Sequence, residues 1–554
     1  MLTRIHKIAF ILIICLVLSV FLFACEDADI DTPLDTDISM EDNADEQEEP
    51  HQEEPPEEEP QQEEQEEPIE EPLLPDDRTT LQVLLDSANE YRLSIEKVNE
   101  ETVRELAYSR DFVFYDMGPL IMGHDVIPRM PPTVSRENAI KDVDVLFDAL
   151  RYAYGVYQYF GGDEVFEPAR EKILEELNQF DGSNLASALF SEIIHRYLSP
   201  IINDRHFFIG QHLYVAEYTF LTSDDIFFER SGQRFRNRES GLYIEEIVGY
   251  DVGELMRLQL NEYGHHFYAP VLQREGTSRA AYTAVIKYED GTSEYLELRH
   301  VPVSWNLFQS PSNLIYVDGI PVVSLESMMG MSATPYGVYA HNFFSYAEEV
   351  RDKPVVILDI RSNTGGMIIL TQKWAYLLTG EVIHGNYVQM ENWNDEYEFI
   401  WTPWGDTSET NPFYFSDDDW SSLEFLFEEV TTVNGFNIRN LTERHIAERE
   451  QVLIVLIDRN TASAGEMFTD LIFNIENTIV IGQNTMGCII SNMAYPHLRL
   501  PNTRMPFAFG TSVFMWPEGH FAEGTGFAPN VWVTGCALTA TLAMLKNEEI
   551  YANR

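Results

Sequence analysis

Two runs of consecutive apolar residues, each ending in a polar turn of small residues, mark the second half of the chain. They are VVILDIRSNTGG at 355–366 and VLIVLIDRNTASAGE at 452–466. Short Val- and Ile-rich runs without alternation predict strands covered on both faces, as in a parallel sheet. The second turn opens a helical pattern and sets Ser463 at its mouth. Around these runs the pattern alternates. LIYVDG and PVVSLES precede a helix over 336–350, and VVILDI precedes a helix over 367–378. LIVLID, a helix over 464–473 and TIVIG then complete the set. Such alternation predicts an α/β core with a parallel or mixed sheet under helices.

Upstream the period changes to that of surface helices. Residues 81–106 predict one or two amphipathic helices, and 112–134 an irregular connector. Further helices are expected over 138–159, 166–177 and 185–198, the last stopping before Pro200. A turn, INDRHFF, then carries His206. Between 207 and 313 the runs HLYVAEYTFL, GLYIEEIV, TAVIKYED and SEYLELRHV alternate with Gly, Asp and Asn, predicting a small, mostly-β inserted module. The folded part thus divides into an N-terminal helical region (78–206), a β-rich insert (207–313) and an α/β core (314–540). A loop-rich aromatic stretch at 392–427 carries Trp393, Trp401, Trp404 and Trp420.

Composition adds two segments that belong to no core. Arg4 and Lys7 precede an apolar run over 8–24, and Cys25 follows Leu22-Phe23-Ala24. This resembles a bacterial lipoprotein signal (1–25) with its cleavage box. The resemblance implies lipidation at Cys25, export, and anchoring to the outer face of the cell membrane. Residues 26–77 hold no Lys or Arg and include EEPHQEEPPEEEPQQEEQEEP. Such a segment cannot bury apolar surface and repels itself, so it reads as a disordered stalk. The formal charge of −56 over 554 residues argues against nucleic acid as a partner. Beyond the signal only Cys488 and Cys536 remain, too few for a disulfide framework, with a single bridge left open.

The candidate chemistry is a serine nucleophile with an oxyanion site. Backbone N–H groups at a helix start and in a Gly-rich turn can hold a developing oxyanion. Those groups are Ala464, beside Ser463, and Gly365 or Gly366 in the other turn. Ser463-Ala464-Gly465-Glu466 is also a capping box, which serves the helix without any catalysis. Thr461 is the fallback nucleophile. No H-E-x-x-H or C-x-x-C pattern is present, so cofactor-free hydrolysis without a metal is expected.

DIRSNTGG, NTASAGE, GQNTMG and EGTGFAPNVWV follow one another in an order that resembles the tail-specific (C-terminal processing) and tricorn-core serine peptidases. The resemblance implies a crotonase-like α/β core of β-β-α units. It also implies Ser463 as nucleophile and a protein or peptide substrate. In the tail-specific branch a Lys follows T-x-G, and here that position is Cys488. The tricorn-like branch takes a His from upstream and orients it with a downstream Glu. His206, in Asn203-Asp204-Arg205-His206, is similar to that His, and Glu523 to that Glu, with Glu518 as a rival. Asp359 reads as a structural residue ending its strand. A second reading keeps the same fold as a non-catalytic peptide- or hydrophobic-ligand-binding module.

Overall fold

The computed structural model describes residues 78–113, 115–121, 130–303, 312–328, 335–391, 421–492 and 498–550. The expected signal with Cys25, the stalk at 26–77, and Trp393, Trp401, Trp404 and Trp420 lie outside the described residues. The fold is mixed α/β, with a helical N-terminal region and one large mixed sheet.

The centre of that sheet is the pair of runs singled out above. Strands β1 (Ile320–Leu325), β2 (Val355–Asp359), β3 (Val452–Ile457), β4 (Thr478–Gly482) and β5 (Val531–Trp532) lie side by side and parallel. β1, β2 and β4 are buried along their whole length, as expected of strands covered on both faces. Apolar side chains on one face pack with helices Pro335–Val350, Ile369–Thr379 and Ala464–Ile472. Those on the other pack with the terminal helix Ala537–Asn547. Ser312–Val317 pairs antiparallel with β1, which precedes helix Pro335–Val350 in the chain, so the three make one β-β-α unit.

The 81–106 pattern resolves into two helices, α1 (Thr80–Ser94) and α2 (Glu100–Tyr108), opened by Thr79 and Asn99 caps. α1 is fixed to the core rather than laid over it. The buried Arg92 guanidinium donates to the carbonyls of Phe473 (3.0 Å) and Thr478 (2.6 Å). Tyr91 Oη meets Nδ1 of buried His520 at 2.9 Å, and His520 Nε2 donates to Asp470 Oδ1 at 2.7 Å. Three further helices, Arg136–Ala153, Asp163–Gln179 and Ser187–Leu198, complete the N-terminal region.

The β-rich stretch does not stand apart from the core. Most of its strands continue the large sheet, because Met256–Leu260 pairs in parallel with β5 at Trp532 and Gln259. HLYVAEYTFL splits into His212–Tyr214 and Tyr218–Thr222, which belong to different sheets. Met256–Leu260 and the ten-residue His266–Glu275 are additional strands with weak sequence patterns. Residue 206 lies on β6 (Asp204–Ile209), in a separate four-stranded sheet with His212–Tyr214, Pro506–Ala508 and Leu498–Arg499. Among the described residues, no helix is long and apolar enough to cross a membrane.

Candidate active site

The turns after β2 and β3 meet at the edge of the sheet and are cross-tied. Asp458, at the end of β3, accepts from the Ser362 N–H at 2.8 Å and from Asn460 N–H at 2.9 Å. Ala462 N–H donates to the Asn363 carbonyl at 2.9 Å, and Thr461 Oγ1 donates to the Ile360 carbonyl at 3.0 Å. Asp359 receives the Arg361 guanidinium through two bonds of 2.8 and 2.6 Å, both residues being buried. It ties down its own turn.

Ser463 is the N-cap of the helix Ala464–Ile472, with φ +53° and ψ −121°. A non-glycine residue in that region is strained, and it persists where its surroundings determine it. Those surroundings are specific. Gly365 has φ +98°, and a Cβ there would lie 2.8 Å from Ser463 Cβ and 2.8 Å from Ala464 N. Glycine is therefore required on both conformational and steric grounds. Gly366, with φ +139°, runs so close to Met328 that a Cβ would fall 2.2 Å from its carbonyl oxygen.

The expected oxyanion donors separate at this point. Gly365 N–H is already engaged by Asn363 Oδ1 at 2.9 Å, because the side chain folds back over its own turn. The amides of Ala464 and Gly366 are the remaining candidates.

Glu466, fully buried, draws a second loop against this turn. Its Oε2 accepts from Ser463 N–H (3.1 Å) and Cys488 N–H (2.8 Å). Its Oε1 accepts from Thr485 Oγ1 (2.6 Å) and Gly487 N–H (2.8 Å). Burial pushes its carboxyl above the usual range, and these donors pull it back down. The capping-box spacing pointed to Glu466, but not to its role as a brace between two loops.

His206 lies within this assembly. It is buried, and its Nδ1 is 2.7 Å from the carbonyl oxygen of Ser491. A carbonyl only accepts, so Nδ1 carries the proton and Nε2 presents a lone pair. Nε2 is 3.5 Å from Cys488 Sγ. Among the described residues, no hydrogen bond joins the ring to Ser463 Oγ. Asp204 supports the arrangement from the same strand. Its Oδ1 accepts from His206 N–H (2.9 Å), and its Oδ2 from Ser491 Oγ (2.7 Å) and Tyr154 Oη (2.9 Å). Burial lowers the imidazole pKa, and the Asp204 charge opposes that shift.

Glu523 reaches His206 through the backbone rather than the ring. Its Oε1 accepts from Arg205 N–H at 2.8 Å, and its Oε2 from Ile489 and Ile490 N–H, both at 2.9 Å. It thus fixes the residue before His206 and the segment that delivers both Cys488 and Ser491. Burial, with Asp204 nearby, pushes its carboxyl well above the ordinary range. Glu518 takes no part in these bonds. Asp204 stood in the D-x-H turn and could have been singled out. Ser491 acts through its carbonyl, which no side-chain pattern announces. Cys488 and Cys536 are both free thiols. No group of three or more His, Cys, Asp or Glu among the described residues is placed to hold a metal.

Residues 320–533 match the family model described as Peptidase family S41. That span contains Ser463, both candidate glycines and Glu523, but not His206. No curated protein matches the chain. Solved structures that align with it include mature CPAF, at 14% identity over 74% of this chain and 95% of that one, with a TM-score of 0.38. The photosystem II D1 C-terminal processing protease aligns at 13% identity, over 74% and 96%, with a TM-score of 0.34. The tricorn protease aligns at 12% identity, over 75% and 37%, with a TM-score of 0.30. The match over residues 320–533 supports a peptidase of the S41 family, of the tail-specific and tricorn-like kind, and indicates a serine-type hydrolase.

Proposed function

We propose that the chain cleaves peptide bonds through an acyl-enzyme on Ser463, with His206 as the base. The observation that carries this reading is the placement of Ser463. It is strained at the mouth of a helix, packed against Gly365, with the Ala464 amide next in the chain. In the reaction, Nε2 of neutral His206 takes the Ser463 proton as Oγ attacks the scissile carbonyl. The Ala464 and Gly366 amides receive the oxyanion. The imidazolium then protonates the leaving amine, and water repeats the sequence in reverse. Ser491 O holds the Nδ1 proton throughout, while Glu523 and Asp204 hold the backbone that carries both partners. Cys488 at the T-x-G-following position supplies no amine, which favours the His-dependent mechanism over a Ser–Lys pair.

The proposal includes the place of action. The resemblance of residues 1–25 to a lipoprotein signal supports a lipid anchor on Cys25. Residues 26–77 would then be a spacer, with the peptidase on the outer face of the membrane, acting on protein or peptide substrates. One observation favours the binding-module reading: Nε2 faces a thiol rather than the Ser463 hydroxyl. Hydrolysis of an unfolded protein substrate decides between them. Ser463→Ala should lower kcat by about 10⁴-fold or more. Wild-type rates in that variant would refute the assignment.

A further inference from the structure

The base of the proposed reaction has one lone pair, and a thiol lies against it. Cys488 Sγ is 3.5 Å from His206 Nε2, within reach of a sulfur hydrogen bond. Nδ1 holds the ring proton against Ser491, so the thiol is the donor of this pair. Cys488 is fixed on both sides. Its own N–H is bonded to Glu466 at 2.8 Å, and the next two amides are bonded to Glu523 at 2.9 Å. The same oxygen of Glu466 takes the Ser463 amide, so thiol and nucleophile are held as neighbours.

A Cys–His contact can also be a thiolate–imidazolium pair. The surroundings here oppose it. Burial comes first, and the Glu523 and Glu466 carboxylates second, in pushing the thiol well above its ordinary range. The groups facing the pair come from four elements: Asp204 and Arg205 on β6, Glu466 on the nucleophile helix, Glu523 on the C-terminal loop, and Tyr154 through Asp204.

We propose that Cys488 is a positioning residue that donates its S–H to Nε2 of His206 and competes with the Ser463 hydroxyl for the lone pair. This inference rests on the reading of His206 as base. A donor on Nε2 stabilises the neutral ring, so the contact holds the resting base uncharged, and the hydroxyl must displace it.

The test is an NMR titration of the full chain in detergent, labelled with ¹⁵N-histidine, with the His206 signals assigned by loss in His206→Gln. Cys488→Ala and Cys488→Val both remove the donor, and either should raise the His206 pKa by about half a unit or more. Cys488→Ser keeps a donor and should titrate close to wild type. The acid limb of kcat/KM should move with the NMR value. Equal pKa values in all four proteins, or equal shifts in the Ser and Ala variants, would overturn the proposal. Fluorophosphonate labelling of Ser463 separates the two readings. A titration shift without labelling would refute the catalytic reading and keep the thiol contact. Labelling without a shift would refute the contact and keep the reaction.

Discussion

The amides of Ser463 and Cys488 share one carboxylate oxygen, Oε2 of Glu466, at 3.1 and 2.8 Å. The strained turn of the candidate nucleophile and the loop facing His206 are thereby set against each other by a single buried side chain. Glu466→Gln replaces a four-donor acceptor with an amide that itself presents two donors. Buried N–H groups left without an acceptor cost about 1–3 kcal/mol each. A loss of about 3–5 kcal/mol in urea unfolding is expected, together with weaker Ser463 labelling at a temperature where the variant is folded. Unchanged stability would show that the brace is not needed.

Gly365 and Gly519 both have positive φ, at +98° and +74°, but different surroundings. A Cβ on Gly365 would strike Ser463 and Ala464, whereas nothing lies within 4 Å of one on Gly519. Gly365→Ala should lower fluorophosphonate reactivity at least about tenfold, since sub-ångström misplacement of a nucleophile is costly. Gly519→Ala should cost only backbone strain of about 1–3 kcal/mol and leave labelling unchanged. Equal labelling of the two variants would contradict the packing described for Ser463.

In the proposed reaction, the pH dependence of activity follows from the burial of His206. Burial disfavours the imidazolium, so the folded pKa lies below the ordinary value of about 6.5. The base form then persists to lower pH, and the acid limb of kcat/KM should fall below about 6.5. The same shift contributes stability above that value, which is lost as pH falls through the folded pKa. An acid limb at or above 7 would argue against a buried neutral base.

Glu428 behaves in the opposite sense. Burial pushes its carboxyl up to about 7, even with Tyr387 Oη donating to it at 2.9 Å. Unfolded, it titrates near about 4.3, so the folded protein binds this proton more tightly. The associated stability is full below the unfolded value and lost as pH rises through about 7. Between pH 5 and pH 8, wild type should lose about 2–3 kcal/mol more than Glu428→Gln in urea unfolding. Parallel losses in the two proteins would contradict the burial assigned to Glu428.

The centre of the fold was legible because its physics is local. β2 is apolar along nearly its whole length and β3 throughout, so both read as two-sided strands without any partner in view. Most helices emerged within three residues of their expected limits, but the one expected to reach 159 ends at Ala153. Met256–Leu260 was missed although Met256, Leu258 and Leu260 alternate with Arg257 and Gln259, since five positions are a short signal; pairing with β5 establishes it. His266–Glu275 begins at a His pair, carries Pro270, and ends in Gln273-Arg274-Glu275. In the site, Ser463 and His206 stood in recognisable turns. Glu523 was found from the resemblance of its EGTGFAPNVWV segment, but its bonds to three amides required the folded chain. The thiol on Nε2 was equally out of reach, because Cys488 and His206 are 282 positions apart.

The most direct test of the central claim is fluorophosphonate labelling of the full chain, with the adduct located by mass spectrometry. An adduct on Ser463 that disappears in His206→Ala is the predicted result. Folded protein that takes no label, or takes it on another residue, would contradict the assignment of Ser463 as nucleophile and His206 as its base.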